Sequence, residues 1–163
     1  MADDGTTADL RVITEFKGSY AYLSNFWREG VRYRGAEFAS AEHAFQASKC
    51  QDESERREVA SAVTPAEARR RGRTAVLRPD WERTKKRVML EIVLAKFTGD
   101  EHLRSALCNG TGRARLVEGN RWHDNYWGNC WCGAPACAAP GLNYLGLFLM
   151  WARAVLREDS IDD

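Results

Sequence analysis

Apolar residues recur at helical spacing through most of the chain after residue 40. In the longest such stretch, Val88 and Ile92 stand four positions apart, the spacing of one buried helix face. Ser40, Thr64 and Asp100 each precede a stretch of this kind, and their side-chain oxygens can cap the first turn of a helix. The pattern therefore predicts helices over residues 40–50, 64–72, 80–97, 100–108 and 145–156.

The remaining segments follow other patterns. Residues 30–35 alternate between apolar and charged side chains between two glycines, which is typical of a short, half-buried strand. Residues 12–27 suit a strand followed by a turn, whereas residues 109–141 show little periodicity and indicate a long loop region. We predict an α+β fold, in which one mostly helical domain carries a small N-terminal β element. Its expected extent is residues 11–157, with a flexible tail at 1–10 and an acidic tail at 158–163.

Composition supports a single globular domain. The chain has 163 residues, of which 44% are hydrophobic and 29% charged, a balance that excludes a disordered or fibrous protein. No apolar run approaches the roughly 20 residues of a membrane span, and the acidic N-terminus does not resemble a signal peptide. We therefore expect a monomeric, cytoplasmic protein with no membrane partner.

Charge is balanced overall but unevenly placed. The formal net charge of +1 excludes a protein that coats nucleic acid through general electrostatic attraction. The segment from Arg56 to Arg87, however, contains 11 basic residues and only 4 acidic ones. This segment is either a pair of solvated helix faces or a positive rim that attracts phosphate groups.

The predicted helix that begins near Ser40 carries a column of polar residues. Glu42, Gln46 and Lys49 stand at positions i, i+4 and i+7 and therefore share one face. A carboxylate, an amide and an amine in this arrangement form a plausible active-site wall, since the carboxylate can transfer protons and a desolvated lysine can act as a nucleophile. An exposed helix with a solvated ion pair is the alternative. His43 points elsewhere and is expected in the core or at the helix cap.

A second concentration of functional residue types lies in the long loop region. Glu118 and Asp124 stand close to Trp127 and Gly128, with no helical or strand period between them. Such a loop can stack a base on Trp127 and direct a carboxylate at a ribose. The alternative is a tight turn whose tryptophan fills the core, and the sequence alone leaves both open.

The cysteines give an incomplete metal motif. Cys130, Cys132 and Cys137 are spaced C-x-C-x4-C, with His123 or Cys108 as a possible fourth ligand, whereas zinc sites usually show paired spacings such as C-x2-C. Five cysteines in a chain without an export signal favour reduced thiols. We therefore expect ordinary free cysteines, no metal and no cofactor.

Taken together and in order, these segments resemble the NADAR (YbiA-like) family. The characteristic stretches include YLSNF at 22–26, AEHAFQASK at 41–49, DNYWG at 124–128 and GLNYLG at 141–146. The set is specific although no single segment is, and the similarity spans about residues 13–157. It is completed by shorter matches at residues 33–40, 64–68, 72–73, 80–81, 88–89, 96–97, 116–118 and 149–150.

The resemblance implies N-glycosidase chemistry at the C1′ of a ribosyl group. It implies as substrate either ADP-ribose attached to guanine bases of DNA or RNA, whose removal would counter a DNA-modifying toxin as an antitoxin does, or the ribosylaminopyrimidine phosphates of riboflavin synthesis. A non-catalytic module that binds ADP-ribose is the rival interpretation. Substrate choice is open because Ala41 and Ala44 replace larger residues found in many relatives.

The resemblance also assigns hypothetical roles. Glu42 or Glu118 would transfer a proton, and Lys49 would attack C1′ to give a transient Schiff base. The remaining assignments are ribose or base contacts from Asn25 and Asp124, stacking by Phe26 and Trp127, phosphate contacts from Arg73 and Lys85, and further substrate contacts from Gln46, Trp81, Gly128 and Asn143. Apart from Trp127, the tryptophans default to the core.

Overall fold

Helices form most of the structure, a computed structural model that describes residues 11–158. Their bounds are α1 Ala41–Ser48, α2 Glu53–Ala60, α3 Pro65–Thr74, α4 Trp81–Thr98, α5 Glu101–Ser105 and α6 Tyr144–Glu158. A 3-10 helix covers Gly18–Leu23, a π-helical turn covers Ala106–Gly110, and a further 3-10 turn covers Pro135–Cys137. The predicted mixed, mostly helical domain is confirmed.

Side-chain caps fix where several helices begin. Ser40 accepts a hydrogen bond from the backbone N–H of His43, and Thr64 accepts one from Glu67 at 3.1 Å. Asp52 caps α2 in the same way, through the backbone N–H groups of Ser54 and Glu55. Helix α2 was missed because its apolar content is low, yet this cap was visible in the sequence.

The strands are short and occur in three pairs. Strands β2 (Val31–Tyr33) and β3 (Ala36–Phe38) form an antiparallel hairpin, of which the sequence predicted the first strand only. Strand β1 (Val12–Ile13) runs parallel to β4 (Arg115–Leu116). Strand β5 (Gly119–Asn120) runs parallel to β6 (Asn129–Cys130). The pairing of β5 with β6 holds the two ends of the loop between them next to each other.

The core surrounds helix α4, which packs against α1, α6 and the β2–β3 hairpin. Ile92 and Phe97 of this helix are fully buried beside Leu149 of α6 and Leu23 of the first 3-10 helix. Among residues 11–158, no helix is both long and apolar enough to cross a membrane.

Four of the six tryptophans are exposed. Of the five tryptophans expected in the core only Trp81 is buried, and the expectation is wrong for Trp27, Trp122, Trp131 and Trp151. The predicted tail at 1–10 lies outside the described residues, as do residues 159–163, while residue 158 ends helix α6.

Candidate functional site

A cleft of about 480 Å³ opens between the start of α1 and the loop region after β4. A volume of this order suits a nucleotide-sized ligand. Its walls combine carboxylates, amides, aromatic rings and one arginine. The lining residues are Phe16, Lys17, Ser24, Asn25, Phe26, Glu42, Phe45, Gln46, Arg69, Met89, Glu118, Gly119, Trp122, Asp124, Trp127 and Leu145.

Helix α1 presents the predicted pair of Glu42 and Gln46 to this cleft. Both side chains are buried, and the amide of Gln46 donates a 2.8 Å hydrogen bond to Glu42 Oε1. Burial raises the pKa of Glu42 above its ordinary value, although the amide opposes this effect. Gln46 Oε1 is buried with no partner among the described residues, so it is an acceptor available to a ligand.

Glu118 enters the cleft from the opposite wall, between β4 and β5. Its backbone N–H donates to Asn143 Oδ1 at 3.0 Å, and its carbonyl accepts from Asn129 at 2.9 Å. Burial, with Asp124 and Glu42 nearby, raises the pKa of Glu118 to about 7. Its Oε2 is buried without a partner within residues 11–158. Glu118 can therefore hold a proton near neutral pH and offer it to a ligand.

Asp124 is held with one carboxylate oxygen turned toward its own backbone. Asp124 Oδ1 accepts from the N–H groups of Tyr126 and Trp127 at 3.0 and 2.8 Å. Asn120 clamps the same residue, because its amide donates to the Asp124 carbonyl at 2.7 Å and its Oδ1 accepts from the Asp124 N–H. The turn thus fixes Asp124 and Trp127 together at the cleft.

Lys49 caps the C-terminus of α1 at the edge of this site. Its half-buried side chain lies next to Gln46 and to Gly72 of α3, where a Cβ atom would stand 3.0 Å from Lys49 Cε. Burial lowers the pKa of Lys49, and Glu42 opposes this effect. Lys49 is outside the set of residues that line the cleft.

Aromatic rings form the apolar part of the cleft. Trp127 packs edge-on against Phe45, with ring centroids 5.3 Å apart, while Phe26 and Trp122 are partly exposed on the lining. Trp81 lies behind this wall in the core, 5.1 Å from Phe45.

The remaining predicted binding residues differ in their position relative to the cleft. Asn25 lines the cleft and accepts a backbone hydrogen bond from Glu42 at 3.0 Å. Gly128 and Asn143 lie behind Glu118 as supports, since a side chain at Gly128 would collide with the Glu118 backbone. Arg73 is exposed and lies outside the lining.

Arg69 belongs to the site but was missed from the sequence. Arg69 of α3 lines the cleft, half-buried, and within residues 11–158 its side chain has neither an ion pair nor a hydrogen bond. It is one of three consecutive arginines, of which Arg70 and Arg71 pair with Glu67. Arg70 and Arg71 stand three and four positions after Glu67, the spacing of helical ion pairs, whereas Arg69 does not, and this difference could have distinguished Arg69 from its neighbours.

Lys96 was also missed as a polar element of the site. Its ammonium group is buried and donates to the carbonyls of Tyr22 and Ser24 at 2.6 and 2.8 Å. Burial lowers the pKa of Lys96 to about 7, and the negative charge of Glu118 opposes this effect. Lys96 therefore holds the backbone next to Asn25 and lies close enough to Glu118 to influence its ionisation.

One cluster beside the cleft has the side chains of a metal site. His123 and three cysteines of the loop region, Cys130, Cys132 and Cys137, bring their ligand atoms within 4.8 Å of one another. Cys108, the other candidate ligand, is buried and not part of this group.

This fold and cleft define a NADAR-type domain. The sequence model of the NADAR domain matches residues 14–157, and the chain belongs to this family. It is 38% identical to an N-glycosidase of Nostoc punctiforme over 143 residues, 85% of this chain and 86% of that protein. It is 37% identical to the N-glycosidase YbiA of Escherichia coli, over 84% of this chain and 82% of YbiA.

One solved structure and one plant protein are also similar to this chain. The NMR structure of Escherichia coli YbiA superposes with a TM-score of 0.80 at 33% identity, covering 94% of this chain and 90% of that structure. A riboflavin biosynthesis protein of Zea mays, PYRR, is 38% identical over 103 residues, which are 60% of this chain and 15% of the maize protein.

Proposed function

We propose that the protein is an N-glycosidase that hydrolyses the bond between C1′ of a ribosyl group and a nitrogen. The convergence of three carboxylates, Glu42, Glu118 and Asp124, in one aromatic-walled cleft carries this proposal. The two relatives named N-glycosidases, which align over most of the chain, support it.

Glu118 is the proposed proton donor. With a pKa of about 7 it is protonated in a large fraction of molecules at neutral pH, and Oε2 has no protein partner among the described residues. Its proton passes to the leaving nitrogen as the C1′–N bond breaks, and the bonding electron pair goes to that nitrogen. The resulting carboxylate then stabilises positive charge at C1′.

Glu42 has the complementary role in this proposal. Its carboxylate, aligned by the Gln46 amide, accepts a proton from the nucleophile that adds to C1′. With water as the nucleophile, the products are the free ribosyl sugar and the leaving group with its nitrogen protonated, and the protons balance between the two glutamates. The neighbouring Asp124 holds a ribose hydroxyl through the carboxylate oxygen that its own turn does not use.

Lys49 offers a covalent route to the same products. Partial burial lowers its pKa, which increases the fraction of neutral amine that can attack. Addition of the Lys49 amine to the C1′ of an opened sugar, with loss of the leaving nitrogen, gives a protonated imine. Water then adds to that imine, and the lysine leaves as a free amine.

The proposed substrate is ADP-ribose attached to a guanine base of nucleic acid. Arg69, unpaired within the described part of the chain, can bind a phosphate at the mouth of the cleft. The exposed rings of Trp122 and Phe26 can stack on a base, and the cleft volume accommodates a nucleotide.

Ribosylaminopyrimidine phosphates of riboflavin synthesis are the second candidate. The likeness to the maize riboflavin biosynthesis protein favours them. This substrate also joins a phosphorylated ribosyl group to nitrogen through C1′, so the same carboxylates would act on it.

Cleavage of the C1′–N bond in each substrate class tests the proposal. Purified protein is incubated in parallel with an ADP-ribosylated guanine oligonucleotide and with a ribosylaminopyrimidine phosphate, and products are separated by chromatography and identified by mass. We expect turnover of the first substrate. Turnover of the second alone would establish the riboflavin activity instead, and binding of ADP-ribose without any product would favour a non-catalytic module.

A further inference from the structure

Four potential metal ligands meet in the loop region beside the cleft. His123 Nδ1 and the Sγ atoms of Cys130, Cys132 and Cys137 all lie within 4.8 Å of one another. The histidine nitrogen is 3.4 Å from both Cys132 Sγ and Cys137 Sγ. The three cysteines are free thiols.

The distances from the histidine nitrogen to two of the sulfurs match a tetrahedral zinc site. Zinc bonds of about 2.3 Å to sulfur and about 2.0–2.1 Å to nitrogen place tetrahedral ligand atoms about 3.5–3.8 Å apart. The observed contacts of 3.4 Å between His123 Nδ1 and the sulfurs agree with this value. Three thiolates and an imidazole favour zinc over calcium or magnesium, which prefer oxygen ligands.

The backbone around the cluster supports a binding role rather than a chance encounter. His123 has a φ of 66°, a left-handed conformation that is uncommon for residues other than glycine, and this conformation accompanies the approach of its ring to the cysteines. Gly133, at φ 79°, makes the turn after Cys132, and the N–H of Ala134 donates to Cys132 Sγ at 3.4 Å. Backbone donors of this kind stabilise a thiolate.

We propose that His123, Cys130, Cys132 and Cys137 bind one structural zinc ion. The cluster supplies all four ligands of a tetrahedral ion, so no position remains for a substrate or a catalytic water. On binding, the thiols give up their protons to solvent and the sulfurs bond to the metal as thiolates. This assignment replaces the sequence-based expectation of ordinary free cysteines.

The zinc site is connected to the cleft through one short segment. His123 stands between Trp122 and Asp124, which both line the cleft, whereas Cys130 belongs to β6 at the base of the loop. A bond from His123 to the metal therefore ties the part of the loop that carries Trp122 and Asp124 to the β5–β6 pair. The ion positions this wall without touching the substrate.

Metal content and spectroscopy of the full chain test the proposal. The protein is purified under reducing conditions without a metal-affinity step, and zinc is measured by mass spectrometry. We expect one zinc per chain. Replacement by cobalt should give the charge-transfer and visible absorption of a tetrahedral thiolate complex. Cys132→Ser and His123→Ala should lose stoichiometric zinc and the cobalt spectrum, whereas Cys108→Ala, at a buried thiol outside the cluster, should keep both.

A variant that misfolds would also lose zinc, so the wild-type protein is tested directly as well. A strong zinc chelator should lower its melting temperature under reducing conditions, and added zinc should restore it. A wild-type protein that takes up no zinc when supplied with it, or an unchanged melting temperature in the chelator, would overturn the proposal. So would a disulfide within the cluster that persists when the protein is purified under reducing conditions. Each readout is independent of N-glycosidase activity.

Discussion

Asn143 holds the backbone of Glu118 across 25 residues of sequence: its Oδ1 accepts the Glu118 N–H at 3.0 Å. The Asn143 amide also donates to the Leu116 carbonyl at 2.9 Å. One side chain at the start of α6 therefore bridges both sides of the segment that delivers Glu118 to the cleft. Asn143 adopts a φ of 53°, a left-handed conformation that asparagine tolerates better than most residues.

Replacing Asn143 by glycine should destabilise the protein and impair the site together. Glycine accepts the same backbone conformation, so the loss isolates the two hydrogen bonds, at about 1–3 kcal/mol of unfolding free energy. Denaturant unfolding measures this loss. Asn143→Ala should be less stable still because alanine adds strain at positive φ. Equal stability of Asn143→Gly and wild type would contradict the assigned support.

Neutralising Glu118 should stabilise the protein at alkaline pH. Its pKa rises from 4.5 in the unfolded chain to about 7 in the folded one, so the folded state holds the extra proton between these values. Stability is therefore lost as the pH rises from 4.5 through 7, by up to roughly 3 kcal/mol. Glu118→Gln should escape this loss, and its melting temperature relative to wild type should increase between pH 5 and pH 8.

The same variant also tests the proposed role of Glu118 as proton donor, independently of its effect on stability. Glu118→Gln should lack measurable cleavage of the C1′–N bond at every pH, while the wild-type rate should fall above about pH 7 as the donor loses its proton. Glu37→Gln, at an exposed hairpin position, is the matched control and should change neither profile. Activity in Glu118→Gln close to wild type would remove Glu118 from the proposed mechanism.

The polar column of α1 was predictable because helical spacing alone places Glu42, Gln46 and Lys49 on one side. Capping residues likewise located most helix starts. Glu118 and Asp124 were selected by residue type, but their approach to Glu42 depends on the parallel pairing of β5 with β6. The sequence of one two-residue strand does not indicate which other segment it pairs with.

Other parts of the site were hidden for different physical reasons. Trp122 and Trp131 are exposed although large aromatic side chains favour burial, and their segment has no periodic pattern that would indicate which side chains face inward. Arg69 differs from Arg70 only in its helical phase relative to the cleft. The cluster of His123 with three cysteines includes a left-handed turn at His123 that the sequence did not indicate.

Replacing Glu42 by glutamine should abolish turnover with little effect on folding. The change preserves shape and removes only the carboxylate, whose role in proton transfer is worth about 10²–10⁴-fold in rate. The rate constant for cleavage of the C1′–N bond measures the effect, and circular dichroism verifies the fold. Since burial raises the pKa of Glu42, the variant should be at least as stable as wild type near neutral pH. A wild-type rate would refute the assignment.

Arg69→Ala should weaken substrate binding more than it slows chemistry. The guanidinium faces the cleft, and among residues 11–158 no acidic side chain pairs with it, so its loss removes a charge available to phosphate. We expect KM for a phosphorylated substrate to rise about tenfold with kcat nearly unchanged. Arg70→Ala is the neighbouring control, because Arg70 is exposed and lies 3.6 Å from Glu67. Equal effects of both variants would indicate general electrostatics instead of a local contact.

Trapping with borohydride should distinguish the lysine route from direct attack by water. If the Lys49 amine forms an imine with C1′, reduction in the presence of substrate fixes the sugar to the protein, and peptide mass spectrometry places the adduct on Lys49. Lys49→Ala should lose the adduct and turnover together. Lys86→Ala is the control, because Lys86 of α4 is an exposed amine that donates to Tyr144 of α6 and does not line the cleft. Turnover without any adduct, or an adduct that persists in Lys49→Ala, would assign the attack to water with Glu42 as its base.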